Sequence, residues 1–354
     1  MSNLVDWELA ERIATRLARR NDPFSGSYHY ASLEPDFAEL TSQAEDLVAA
    51  CTGLRSQAGP ARARVADRAG WVHANIASFQ RLLRPVTNRL EERLPERGAP
   101  PFASKVAGVE VGTLLGWMSA RVLGQYDLLV VDDDTADQDL VYYVGPNVLA
   151  LEKRFAFPPR EFRLWLALHE VTHRAQFTGV PWMRDYFLSL VEQTLGSVDP
   201  DPKRFVDALK KAAAGARGGQ NPLDDGGLVA LLATPEQRAM LDKIGGLMSL
   251  LEGHGDVTMD RAGKGLIPSA PRFSRVLRER RRQASPTTKL VQRLTGLEAK
   301  LAQYEQGERF IAAVERAGGT ALLDRAWEGP ENLPSLVEIR DPDLWIGRMR
   351  VAVA

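Results

Sequence analysis

Leu166-Ala167-Leu168-His169-Glu170-Val171-Thr172-His173-Arg174-Ala175-Gln176-Phe177 decides how this chain is read. Two histidines four positions apart on an α-helix differ by about 40° around its axis, so both imidazoles leave one face and can hold one metal ion. Glu170 follows the first histidine directly, near enough to take a proton from water at the metal without being a ligand itself. Pro158-Pro159 pre-sets the first turn of a helix that runs through roughly Phe177, and Phe162, Leu166, Val171 and Ala175 supply its packed side. A chain of this composition would contain H-E-x-x-H by chance on the order of once in a few hundred sequences. The competing reading, two half-buried core histidines satisfied by backbone or carboxylate partners, is therefore the weaker one.

A zinc site with a position open for chemistry takes three protein ligands. In the extended signature H-E-x-x-H-x-x-G-x-x-H the last two fixed places fall here on Gln176 and Gly179, which excludes a third histidine from that segment. A second apolar helix, Leu247–Asp260, carries Glu252, with Asp256 one turn later on the same face. In zincins of the Glu type the glutamate of such a pair binds zinc and the aspartate hydrogen-bonds the remaining ring nitrogen of a ligating histidine. His254 competes with Glu252. The two sit about 200° apart on a helix, so both reach one metal only if Gly253 and Gly255 break the helix.

Around this motif lies a charge-balanced chain of 354 residues with 45 basic and 46 acidic side chains and 44% hydrophobic residues. That balance excludes a disordered chain and argues against a nucleic-acid footprint over the whole surface. Cys51 is the single cysteine, so neither an internal disulfide nor a cysteine-rich structural zinc site can form. The acidic start, Val5-Asp6-Trp7-Glu8, lacks the basic and apolar regions of a signal peptide, from which a cytoplasmic address is expected. The apolar stretch Val106–Trp117, interrupted by Gly108, Glu110, Gly112 and Gly116, is too short to span a membrane and is expected to be a buried helix.

The expected fold class is mainly α with a small central β-sheet. Residues 1–100 read as amphipathic helices, with Leu4, Trp7, Leu9, Ile13 and Leu17 at helical spacing, a second helix at Pro35–Thr52, and a third at Pro60–Leu94 kinked or broken at Pro85. A linker is expected at Glu96–Pro101. Tyr126–Asp132 and Leu140–Val144 read as a β-hairpin just before the metal helix, and Asn147–Leu151 as a third short strand. Helices follow to the end, with breaks at Gly179–Pro181, Gly215–Gly227, Gly263–Pro271 and near Gly318-Gly319, and a loop at Ala214–Pro222. The whole, 1–354, is expected to be one domain, with a helical part at 1–100, a metal-site core at 126–262 and a helical part at 272–354.

Other features read as structural. His29 and His73 lack ligand-spaced neighbours, though a tyrosine beside His29 could stabilise an oxyanion. The arginine-rich run Arg272–Arg282 has no aromatic platform and reads as a solvated helix face. Gly263-Lys264-Gly265 lacks the rest of a phosphate loop. Asp132-Asp133-Asp134 with Asp137 and Asp139 lacks the glycine and final glutamate of a calcium loop.

His169–Phe177, Gly179-Val180-Pro181-Trp182, Leu251-Glu252-Gly253 and Met259-Asp260 together resemble an uncharacterised family of zincin-like hydrolases, some of whose members are labelled as associated with biosynthesis of a deazaflavin cofactor. The resemblance implies a zincin-like fold and a zinc site using His169 and His173, with Glu170 as base. The spacing from His173 to Glu252 is far longer than in the Glu-type zincin peptidases. The expected activity is zinc-dependent hydrolysis of a peptide or small amide by Glu-assisted attack of water, with Val141–Val144 offering an edge to an extended substrate. The alternative keeps the zinc without turnover, in a protein that binds or scaffolds a partner.

Overall fold

The computed structural model describes residues 4–20, 22, 24–93, 101–126, 128, 139–196, 234–282 and 297–351. The expected linker at 96–100, most of the first hairpin strand after Tyr126, the acidic turn at 132–138 and the glycine-rich stretch at 214–222 lie outside the described residues. No helix among the described residues is long and apolar enough to cross a membrane.

The chain forms two compact units, one of Met1–Arg184 with Thr258–Ser274 and one of Asp185–Val257 with Arg275–Ala354. In the first, α1 (Trp7–Arg19) starts at Asp6, whose carboxylate accepts from the Leu9 amide at 2.9 Å, an N-cap of the usual kind. Its buried line is Ala10, Ala14 and Ala18, with Trp7, Leu9, Ile13 and Leu17 only half-buried beside them. The reason is α4 (Pro101–Ser119), which approaches α1 through Gly108, Gly112 and Gly116. A Cβ on Gly112 would sit 2.4 Å from the Ala10 carbonyl oxygen, so glycine sets the helix separation. The stretch expected to be a buried helix is thus buried on one side only. Val106 and Val109, exposed at 39% and 43%, lie on its other side.

Three strands make the sheet, in the order β1 (Arg62–Ala66), β3 (Leu140–Val144), β2 (Gly124–Tyr126). β3 is antiparallel to β2, as a hairpin requires, and parallel to β1. Two sequence expectations are corrected here. Asn147–Leu151 is not a strand but the middle of α5 (Gly145–Phe155), because Pro146 opens a helix directly after β3. The third strand comes instead from the segment expected to open a long helix. Arg62–Ala66 is extended because it pairs with β3 from Arg62 opposite Leu140 to Ala66 opposite Val144. The helix that follows, α3 (Arg68–Arg93), runs through Pro85 without ending.

All five residues of β3 are buried. A strand flanked on both sides reads as a continuous apolar run, which Leu-Val-Tyr-Tyr-Val is. Tyr143 stacks on Phe37 at 3.8 Å, and its hydroxyl meets the Thr41 hydroxyl at 2.8 Å. Phe37 and Thr41 belong to α2 (Leu33–Thr52), which also lies along α6 (Pro159–Gly179). Arg163 of α6 donates from Nε and Nη2 to the two oxygens of Glu152 at 2.8 and 2.9 Å and pairs with Asp36 through Nη1. That planar fork fixes α6 against α5 and α2 at once.

The second unit contains α7 (Met183–Gly196) from Asp185 onward, α8 (Pro235–Ala262) up to Val257, α9 (Ala270–Arg282) from Arg275, and α10 (Leu297–Asp324), α11 (Leu336–Arg340) and α12 (Pro342–Val351). Its core gathers Leu250, Phe310, Val314, Ile339, Trp345 and Met349. The Trp345 indole donates to the Asn332 carbonyl at 2.7 Å, and Ser335 with Glu338 forms a capping box on α11.

Candidate metal centre

α6 begins as its sequence dictates, with Pro158 at the N-cap and Pro159 in the first turn. Most of its side chains are buried from Phe162 to Phe177, whereas His169 and His173 are half-buried on one face. Their Nε2 atoms converge to 3.2 Å, with the rings nearly perpendicular at 87°. A tetrahedral zinc with bonds of 2.0–2.1 Å needs its ligand nitrogens about 3.3 Å apart. The pair therefore already stands at the separation a metal would impose.

Glu252 and His254 are resolved by the course of α8, which is helical throughout Pro235–Ala262. Gly253 does not break it. A Cβ there would lie 2.4 Å from the Gly307 carbonyl carbon, so this glycine allows α8 and α10 to touch. With the helix continuous, the two side chains leave in nearly opposite directions. His254 is buried with its ring 5.1 Å from that of Trp327. His169 and His173 stand on α6 in the first unit, and Glu252 is a buried residue of α8 in the second. Asp256 is half-buried one turn after Glu252. His173 Nδ1 lies 3.0 Å from Oε1 of Gln176, a residue to which the sequence assigns no role in the site.

The other histidines stand apart from this group. His73 pairs with Glu11 at 2.8 Å on an exposed face, and the His29 ring lies 3.9 Å from that of the exposed Tyr28, tilted by 35°.

Glu170 is 8% exposed and points at β2. Its Oε2 accepts from the Tyr126 amide at 3.2 Å, and a Cβ on Gly124 would fall 2.6 Å from Oε1 and 2.8 Å from the carboxyl carbon. Only glycine lets the carboxylate lie this close to the strand. β2 is itself held from α3, where Trp71 Nε1 donates to Gln125 Oε1 and Gln125 Nε2 donates to Asn75 Oδ1, both at 2.8 Å. Burial and the Asp139 carboxylate push the Tyr126 hydroxyl well above the usual tyrosine range, so it stays protonated.

The expected substrate edge needs correction as well. Val141–Val144 belongs to the central strand, paired on both sides, so no further chain can add to it. The strand beside Glu170 at the margin of the sheet is β2.

Arg174 follows His173 and is 1% exposed. It donates to Asp139 Oδ2 from Nε at 3.0 Å and from Nη2 at 2.5 Å, to Glu45 Oε1 from Nη1 at 2.6 Å, and to the Gly59 carbonyl at 2.6 Å. It ties α6 to α2 and to the segments that enter β1 and β3.

Among solved structures the chain is similar to a crystal structure from Chloroflexus aurantiacus described as "a putative hydrolase with a novel fold". The two share 36% identity and a TM-score of 0.74 over 98% of this chain and 99% of that one. No curated protein matches. The family model of the zincin-like metallopeptidases matches residues 5–346, and with them both histidines, Glu170 and Glu252. On that match, which spans nearly its whole length, the chain belongs to the zincin-like metallopeptidase family.

Proposed function

We propose that this protein is a zinc-dependent hydrolase that cleaves a peptide or small amide. Family membership supplies the reaction class and implies a metal. The observation that carries the residue assignment is the convergence of His169 and His173 Nε2 at 3.2 Å. His169, His173 and Glu252 would hold the ion. Zinc bound there supplies Lewis acidity, which polarises a carbonyl and makes water a better nucleophile near neutral pH.

The chain's own residues do the rest. Glu170 takes the proton of the attacking water on its carboxylate and returns a proton to the leaving nitrogen. The Tyr126 amide and the bare Gly124 backbone hold that carboxylate in one orientation, which limits the motion needed at the moment of transfer.

The test is Glu170→Gln. The amide oxygen of Gln can still accept from Tyr126, so zinc uptake and helical content should match the parent protein. Hydrolysis of a peptide and amide library should fall about 10²–10⁴-fold. If the parent protein, shown to carry zinc, cleaves nothing across a broad library, the hydrolase reading fails and the chain is a zinc-holding binding protein.

A further inference from the structure

Gln176 follows His173 by three residues and so shares its face of α6. Its side chain is fully buried, and its Oε1 lies 3.0 Å from His173 Nδ1. An amide oxygen only accepts hydrogen bonds, so this contact places a hydrogen on Nδ1. A neutral imidazole carries one such hydrogen. Nε2 is then left with its lone pair, and Nε2 is the atom that converges with His169.

We infer that Gln176 is a positioning residue for the metal, holding the His173 ring and its Nδ1–H form so that Nε2 presents a lone pair before any ion arrives. The inference rests on the zinc reading above and deepens it. It also bears on the charge of the centre. A carboxylate at this place would make the same hydrogen bond but add a negative charge behind a ligating histidine, blunting the Lewis acidity of a dication. A neutral amide orients the ligand and leaves that acidity intact.

Zinc affinity measured by chelator competition tests this without any substrate. Gln176→Leu, similar in size but lacking the acceptor, should bind zinc about 10–100-fold more weakly. Gln176→Glu should recover the parent affinity or exceed it, a rescue that a purely packing role would not give. Nitrogen-15 histidine spectra of the zinc-free parent protein supply a second readout that needs no Gln176 variant. The His173 signal, identified by its loss in His173→Asn, should be that of a ring protonated at Nδ1. Unchanged zinc affinity in a folded Gln176→Leu protein, or a His173 ring protonated at Nε2 in the parent, would overturn the inference. A parent protein that takes up no stoichiometric zinc would sink the metal-site reading instead, and the spectra would still decide whether Gln176 sets the ring.

Discussion

On the β1 edge the Val65 amide donates to Glu34 Oε2 at 3.2 Å, and the Ala61 amide just before the strand donates to Glu45 Oε2 at 2.9 Å, both acceptors carried by α2. On the β2 edge the Tyr126 amide donates to Glu170 Oε2, also at 3.2 Å, the acceptor carried by α6. The bond is the same on both margins: a strand amide outside the ladder finds a carboxylate and no longer offers itself to another chain. What differs is the surroundings. β1 shows exposed Arg62 and Arg64 to solvent, and its carboxylates lie on a helix without a histidine pair. At β2 the strand is cut to glycine where the carboxylate lies, and that carboxylate follows His169 directly in sequence. A contact that only satisfies an edge amide on one side thus also fixes, on the other, the carboxylate proposed above as the base.

Three substitutions put that contrast to the test. The largest effect is expected from Arg174→Leu, because Glu45 serves the β1 edge with one oxygen and Arg174 with the other. Removing the guanidinium strands Glu45 and Asp139 and should cost about 3–5 kcal/mol in denaturant unfolding. A loss under 1 kcal/mol would mean that the two edges are not tied through α6. Next is Gly124→Ala. Its methyl displaces the Glu170 carboxylate, so turnover should drop about 100-fold while zinc binding, measured by metal analysis, stays at the parent level. Full activity in this variant would reduce the β2 contact to mere edge protection. The smallest effect is expected from Glu34→Ala, which should lower stability by about 1 kcal/mol and leave turnover untouched. A loss of turnover there would erase the distinction between the two margins.

The parts of this molecule that a local pattern determines could be read from the sequence. α6 is visible from its prolines and apolar spacing, and the shared face of His169 and His173 follows from helical geometry alone. Glu252 and His254 compete in the sequence, and the unbroken helix sends them in nearly opposite directions. What escaped was decided by partners distant in sequence. Arg62-Ala63-Arg64-Val65-Ala66 has little strand propensity of its own and is extended because β3 lies beside it; the one local hint was the alternation of exposed arginines. Asn147, within the segment taken for a strand, is buried in a helix because Arg68 and the carbonyls of Ser119 and Val122 satisfy its amide. Gln176 was in plain view three residues after His173, and that spacing is the signal by which it could have been found. Gly124 offered no signal at all, since only the proximity of Glu170 gives that glycine a reason.

The first unit is not continuous in sequence: it needs Thr258–Ser274, and the chain passes through Asp185–Val257 of the second unit before supplying them. Within it α1 waits for α4, β1 for β3, and α2 for α6. On the ribosome, therefore, the amino-terminal half cannot finish its own core when it emerges. The histidine pair is made well before Ser269, whose amide donates to Glu161 in the first turn of the same helix. A chain stopped short of that point would expose an incomplete core although His169 and His173 are already synthesised.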